Sequence, residues 1–341
     1  MAGQVTLEFF TVDVFTGTRF RGNPLAIVLV PAKLRDSVDQ QTKQRIAAEF
    51  NLSETVFLHT PDEPDTSKSS LDINIFTIEE ELPFAGHPTI GTAYLVLEHL
   101  KWAHVKTLVT KAGPIPIRPT QNGRVQAEIP HDVHIHKQTL RGVLSAAGAS
   151  GKTKAAVHAG LAEDETIRAA ELDGAVVSIV KGLSFVLVRL PDLAHLAKVN
   201  AGRRLRFGDI PGLLDDGPWG KSFVSRYYYV PGAEPESESE SGPNDGTSTT
   251  THRIRARMVE LAFEDPATGS AACTLGSYLA LSTGADRVAL ELTQGVEMGR
   301  KSDVAVEVAT ESAGGEGGEP RIKGVSLGGE AVVVMNGKIT A

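Results

Sequence analysis

Glu79-Glu80-Glu81-Leu82-Pro83-Phe84-Ala85-Gly86-His87-Pro88-Thr89-Ile90-Gly91 is the stretch whose reading decides the fold. Its echo lies far downstream, in Phe263-Glu264-Asp265-Pro266-Ala267-Thr268-Gly269-Ser270-Ala271-Ala272. Each runs from acidic residues through a proline and a glycine into an apolar segment of helical character, Thr92–Leu97 in the first and Leu275–Ala280 in the second. Two matching turn-into-helix junctions predict a duplicated fold with two helix N-termini facing one cleft. Free backbone N–H groups and the positive dipole end suit such N-termini to anions, so the expected ligand carries a carboxylate.

Outward from these junctions the chain reads as two α/β halves joined near Pro130. In the first half, residues 5–15 alternate as a strand, and Leu25–Val30 forms a second. Asp36 or Ser37 is positioned to cap a helix ending near Phe50, with Asn51 as its stop. Thr55–Leu58 and Leu71–Ile78 read as strands, which leaves Glu54 in a short connection at a strand entrance. Strands follow around Leu108, Ile115–Ile117 and Val125–Ile129, with Asn122-Gly123 a hairpin signal. The second half repeats the pattern: a helix over 138–147, strands at Ala175–Val180, Ser184–Leu190 and 222–230, and a closing strand Ala331–Met335 turned at Asn336-Gly337. Gly113–Ile117 then Arg124–Ile129 resembles Gly299–Val308 then Arg321–Met335, an internal repeat weak in identity but consistent in order. Residues 231–252 read as a polar low-complexity insertion, and Ala313–Gly318 as a further loop.

Composition narrows the function. The 341 residues carry a net charge of −8, are 41% apolar and 22% charged, and fit a soluble two-domain protein. An acidic balance argues against a nucleic-acid surface. No apolar run reaches membrane-spanning length, and no secretory signal opens the chain, so a cytoplasmic protein is expected. Cys273 stands alone, which excludes an intrachain disulfide, a cysteine-rich zinc site and two-thiol racemase chemistry; its apolar helical setting reads as packing. Gly148-Ala149-Ser150-Gly151-Lys152-Thr153 lacks the first glycine of a phosphate loop and its preceding strand. His131, His134 and His136 form a cluster with no nearby Cys or Glu to complete a metal set, and read as surface or interface histidines.

Glu54, His87, Asp265 and Ser270 differ from these, because each sits at a junction between elements. Carboxylates with a histidine and no metal or thiol set fit proton transfer at a carbon next to an unsaturated or carbonyl group. Desolvation would raise such a carboxylate's pKa and let it take and return a proton near neutral pH. The same spacing is equally compatible with ordinary helix capping by Asp265, Ser270 and Thr89.

Several blocks resemble one family. Val12-Asp13-Val14-Phe15 with Gly22-Asn23-Pro24-Leu25-Ala26-Ile27-Val28, then Asn51-Leu52-Ser53-Glu54-Thr55-Val56-Phe57, the Phe84–Thr89 block, Glu264–Ala271, Gln294–Arg300 and Gly328–Val332 come in the order of the phenazine-biosynthesis isomerase-like (PhzF-like) family. The resemblance implies an α+β, diaminopimelate-epimerase-like fold: two pseudo-symmetric halves, 1–130 and 131–341, each a curved mixed sheet wrapped around a central helix. It implies an isomerase that needs no metal or organic cofactor, acts on a small cyclic or amino-acid-like carboxylate between the halves, and forms a homodimer. The phenazine-pathway member moves a proton around the ring of a dihydro-hydroxyanthranilate. By motif position Glu54 would be the acid/base, and His87 and Asp265 would orient substrate or assist proton movement. Ser270, with the amides near Gly86 and Gly269, would bind the carboxylate, and Asn23 would line the pocket. Asn74 stands where relatives often carry a basic residue, and Ile78 where they often carry proline. The segment before Glu264 is short, and the 231–252 insertion is not typical of the family. The alternative is a non-catalytic ligand-binding or interaction protein on the same fold.

Overall fold

A computed structural model describes residues 5–63, 65–146, 151–200, 205–232, 249–260, 263–312 and 320–341. The chain divides into two compact units: Met1–Pro130 with Gly299–Val304 and Ser326–Ala341, and His131–Met298 with Ala305–Val325.

In the first unit Thr6–Val14 pairs antiparallel with Asn23–Pro31, which runs parallel to Thr55–Thr60. A parallel neighbour needs a crossover, and the Gln40–Phe50 helix supplies it. Asp39 caps that helix by accepting from the Thr42 N–H at 2.8 Å. The cap therefore lies beyond the expected Asp36 or Ser37, because Ala32–Ser37 is first taken up in a 3-10 turn. Asn51 ends the helix in the left-handed conformation, φ 51°. Thr55–Thr60 is antiparallel to Ser70–Phe76, which runs parallel to Thr107–Thr110 across a second crossover, the Gly86–Tyr94 helix. Gly113–Pro119 and Val125–Glu128 complete the run, with Asn122 left-handed between them.

The second unit repeats this order of connections. Ala175–Val180 and Leu183–Arg189 form a hairpin. Leu183–Arg189 runs parallel to Phe223–Pro231, which is antiparallel to Thr249–Glu260. Thr249–Glu260 then runs parallel to Arg287–Gln294 across the Gly269–Thr283 helix. The duplicated order of antiparallel, crossover, antiparallel, crossover is the repeat that the two junctions signalled, and the fold is diaminopimelate-epimerase-like.

Each unit is built on its central helix. All eight residues from Gly86 to Ala93 are buried, and so are Ala271–Ser277. Helices enclosed on every side carry no polar face, which is why both runs read as continuously apolar or small. Gly91 marks how closely the first is wrapped: a Cβ there would lie 2.6 Å from Leu25 Cδ2 and 2.8 Å from Val14 Cγ2.

Four expectations are corrected by long-range pairing. The closing strand does not turn at Asn336-Gly337 but runs from Ala331 to Thr340 along Thr6–Val14. Gly337 instead makes room for Phe9, whose ring would be 3.0 Å from a Cβ at that position. That strand belongs with the first unit, although it lies at the far end of the chain. The Thr249–Thr251 run, read as part of an insertion, is strand, and Phe223–Pro231 reaches into the other flank of that insertion. The Ser70–Phe76 strand stops short of the expected Ile78. The remaining residues 233–248, the Ala313–Gly318 stretch, Leu261-Ala262 and residues 147–150 of the glycine-rich segment lie outside the described residues; Gly151–Gly160 is helix.

Candidate functional site

Glu54 is the last residue of the tight connection between the Asn51 helix stop and the Thr55–Thr60 strand. His87 is the second residue of the Gly86–Tyr94 helix. The fold brings Glu54 Oε2 to 3.6 Å from His87 Nε2, with the side chains 18% and 7% exposed. At that separation the contact is electrostatic rather than a hydrogen bond. Burial raises the Glu54 pKa above the usual carboxylate value, against a smaller lowering from the Ser53 hydrogen bond. A desolvated carboxylate is a stronger base, and its protonated form is cheap to hold.

Asn23 opens the second strand opposite Val14 and is 1% exposed. The turn leading to it is held by Arg300. Its Nε donates to the Gly22 carbonyl at 2.8 Å, and its Nη2 donates to the Arg21 carbonyl at 3.1 Å and to Asp13 Oδ1 at 2.8 Å. Asp13 Oδ2 accepts from the Phe20 N–H at 2.5 Å. The clamp holds a strained backbone: Phe15 and Phe20 are left-handed, at φ 63° and 66°, which costs about 1–3 kcal/mol each for bulky residues. Ala85 precedes the helix in extended conformation and no side chain caps it; Thr89 turns its hydroxyl to the Ala85 carbonyl at 2.8 Å. The amides at Gly86 thus begin a helix with an uncapped positive end.

The second unit presents the same construction. Gly269 and Ser270 open the Gly269–Thr283 helix as Gly86 and His87 open the other, again with no side-chain cap. Thr268 is the N-cap position, and its Oγ1 donates to Asp265 Oδ2 at 2.5 Å. Ser270, half-buried, lies inside the helix after the Thr268 N-cap, and Thr89 turns its hydroxyl back to the Ala85 carbonyl, so neither of these two is the N-cap.

Gln294, 0% exposed, ties the whole turn. Its Nε2 donates to the Asp265 carbonyl at 2.8 Å and to Thr268 Oγ1 at 3.1 Å. Its Oε1 accepts from the Thr268 N–H at 3.3 Å and from the Tyr227 hydroxyl at 3.1 Å. Beside it, Arg257 grips Glu264 through both carboxylate oxygens, each at 2.7 Å. Sequence reasoning assigned no role to Arg300, Gln294, Thr268 or Tyr227. Arg300 and Gln294 end and begin one of the blocks that carried the family resemblance, which was the available signal.

The histidine cluster is corrected in one respect. His136 is buried, not superficial, and its two nitrogens are engaged: Nδ1 accepts from the Asp215 N–H at 2.9 Å, and Nε2 meets Ser178 Oγ at 2.9 Å. His134 Nε2 pairs with Asp215 Oδ2 at 2.9 Å. The three side chains lie within 4.8 Å of one another, but His136 has its lone pair occupied, so the group serves as a structural network. Cys273 is buried, and burial pushes its thiol far up; it is packing. Asn74 receives the buried Lys43 ammonium on its Oδ1 at 2.7 Å, so a cation reaches that neighbourhood from the Gln40–Phe50 helix instead of from position 74. Among the described residues no helix is long and apolar enough to cross a membrane.

Residues 12–202 and 247–337 match the family model described as phenazine biosynthesis-like protein. An uncharacterized isomerase of Mesorhizobium japonicum is 31% identical over 98% of this chain and 99% of its own. Among solved structures, a PhzF-family phenazine biosynthesis protein of Bacillus anthracis superposes with a TM-score of 0.67 at 21% identity, covering 98% of this chain and 99% of that one. A hydroxyproline epimerase of Agrobacterium vitis, solved with trans-4-hydroxy-L-proline, has a TM-score of 0.53 at 13% identity over 98% and 92% of the two chains.

Proposed function

This chain belongs to the phenazine biosynthesis-like (PhzF-like) family, a family of isomerase and epimerase type, and from that premise we propose that it moves a proton on a small cyclic or amino-acid-like carboxylate with Glu54 as general acid/base. The observation that carries the reading is Glu54 held 3.6 Å from His87 in a buried setting that raises its pKa.

In the proposed reaction Glu54, ionised, takes a proton from a carbon next to an unsaturated or carbonyl group. The electron pair left on carbon delocalises into that group. Glu54, now a neutral acid, returns the proton to a different carbon, and the bonding electrons shift to leave an isomer. No external oxidant, reductant or co-reactant is required by the balance. His87 orients the substrate and stabilises charge beside Glu54. Asp265, held by Thr268 and Gln294, is proposed to orient substrate or assist the proton's movement. The uncapped amides of Gly86 and Gly269, with the Ser270 hydroxyl, are suited to a carboxylate, and Asn23 to the pocket wall. A dihydro-hydroxyanthranilate is the first substrate to test, and a homodimer without metal or organic cofactor is the proposed working form.

The test is proton NMR in deuterium oxide with dihydro-hydroxyanthranilic acid and a panel of related carboxylates. Deuterium uptake or isomerised product is expected, and Glu54→Gln should abolish it while circular dichroism shows a folded chain. Undiminished exchange in that variant would remove Glu54 as the base.

A further inference from the structure

Gln294 ends the Arg287–Gln294 strand, fully buried, and its side-chain amide has only one workable orientation. Nε2 meets the Asp265 carbonyl at 2.8 Å, which calls for a donor, and Oε1 meets the Thr268 N–H at 3.3 Å, which calls for an acceptor. The two ends of an amide are ordinarily interchangeable. Here two backbone groups of fixed polarity choose between them.

That orientation directs the hydroxyls around it. Tyr227, on the Phe223–Pro231 strand, donates to Oε1 at 3.1 Å. Burial pushes its phenol well above the ordinary value, so the proton is always there to donate. Nε2 gives its second N–H to Thr268 Oγ1 at 3.1 Å. With Gln294 donating into Oγ1, the hydroxyl proton of Thr268 goes to Asp265 Oδ2 at 2.5 Å. The run from Gln294 through Thr268 to Asp265 thus has one direction, and it ends on a carboxylate oxygen that accepts. Donation of this kind favours the charged form of a carboxylate. The neighbouring Glu264 does not compete for these donors, because Arg257 holds both of its oxygens. Asp265 itself is only half-buried, so it remains within reach of a ligand.

We infer that Thr268 and Gln294 are positioning residues that hold Asp265 as a fixed, ionised acceptor, so that Asp265 orients the substrate and Glu54 alone carries the proton. The role given to Asp265 rests on the proton-transfer reading, whereas the direction of the relay does not. The two carboxylates are set apart by their surroundings. Glu54 is desolvated and made more basic, as suits a group that must take a proton and release it. Asp265 receives a donated hydrogen bond from a hydroxyl whose own orientation is fixed by a buried amide, as suits a group that must stay bare. Thr268 is 8% exposed and Gln294 0%, so both act on the substrate only through Asp265.

The experiment is carboxyl carbon-13 NMR of the full-length chain, labelled at aspartate and titrated without substrate, with the Asp265 resonance identified by its loss in Asp265→Asn. In the unaltered chain Asp265 should stay ionised from about pH 5 to 8. Thr268→Val keeps the shape and loses the hydroxyl, and should raise the Asp265 midpoint by about 1 pH unit or more. Thr268→Ser should restore it. Tyr227→Phe loosens Gln294 without freeing its amide to flip, and should leave the midpoint where it is. An Asp265 carboxyl that titrates near neutrality in the unaltered chain, a midpoint unmoved in Thr268→Val, or one raised as far in Thr268→Ser or Tyr227→Phe would each overturn the proposal. Should Thr268→Val fail to fold, neutron diffraction from deuterated crystals of the unaltered chain decides the matter. A deuteron on Thr268 Oγ1 directed at a bare Asp265 Oδ2 supports it, and a deuteron on Oδ2 refutes it. These readouts need no turnover, so inactivity toward every carboxylate in the deuterium-exchange assay would count against the proton-transfer reading and leave the relay standing. With a substrate that does exchange, Thr268→Val should lower kcat/KM at least about tenfold. Undiminished exchange beside a raised midpoint would overturn the role given to Asp265.

Discussion

Replacing Gln294 by methionine, close to it in volume, removes four hydrogen bonds at once and isolates what holds Asp265 in place. The Tyr227 hydroxyl and the Thr268 N–H both lose their acceptor. Tyr227 is 0% exposed and Thr268 8% exposed, so water does not readily replace it. A buried donor left unsatisfied costs about 1–3 kcal/mol, so the two together predict a loss of about 2–6 kcal/mol. The Asp265 carbonyl and Thr268 Oγ1 each lose a donor as well, but Thr268 Oγ1 keeps its own bond to Asp265 Oδ2.

The assay is urea unfolding followed by fluorescence. Trp102 and Trp219 are the two tryptophans, and Trp219 belongs to the second unit, so a Trp102→Phe background reports that unit alone. Tyr227→Phe supplies the control. On the wild-type background it should cost about 1 kcal/mol, the net worth of one hydrogen bond. On the Gln294→Met background it should cost nothing or stabilise, because it deletes an orphaned hydroxyl. A Gln294→Met cost below about 1 kcal/mol, or an equal Tyr227→Phe cost in both backgrounds, would show that Gln294 does not hold this turn.

Two further outcomes are expected. Glu54 carries a pKa raised by burial, so its contribution to stability is present below the unfolded-state pKa and lost as pH rises through the folded one. Glu54→Gln should therefore be more stable than wild type at neutral pH, by about 1.4 kcal/mol for each unit of raise, with the difference closing toward pH 4; parallel stability curves from pH 4 to 8 would contradict this. Gly91→Ala should destabilise despite alanine's better helix propensity. Its Cβ meets Leu25 and Val14 within 2.8 Å, and overpacking of about 1–3 kcal/mol outweighs a propensity gain of about 1 kcal/mol. A raised melting temperature would show that the strands yield more readily than their packing implies.

Local chemistry made much of this protein legible in its sequence. The paired junctions at Gly86 and Gly269 announced two central helices, because a proline-glycine approach into small and apolar residues has few other uses. Asn51 marked a helix stop, and Pro130 marked the place where the first run of strands ends. Glu54 and His87 were both noticed as junction residues, although 33 positions separate them, because each stands where an element begins.

Tertiary structure alone decided the rest. Asn336-Gly337 carries a strong local turn signal, yet pairing with Phe9 and Phe10 overrides it, since a ladder of nine residue pairs outweighs one dipeptide's preference. The 3.6 Å approach of Glu54 to His87, and the burial that shifts its pKa, depend on a strand and a crossover helix packing together. Gln294 and Arg300 were visible as members of a motif but mute as to role, because their partners, Tyr227 and Asp13, lie 67 and 287 positions away. Sequence determines which backbone each segment prefers and where the chain turns. Which side chain loses water, and which distant group replaces that water, is set only when the sheets close around their helices.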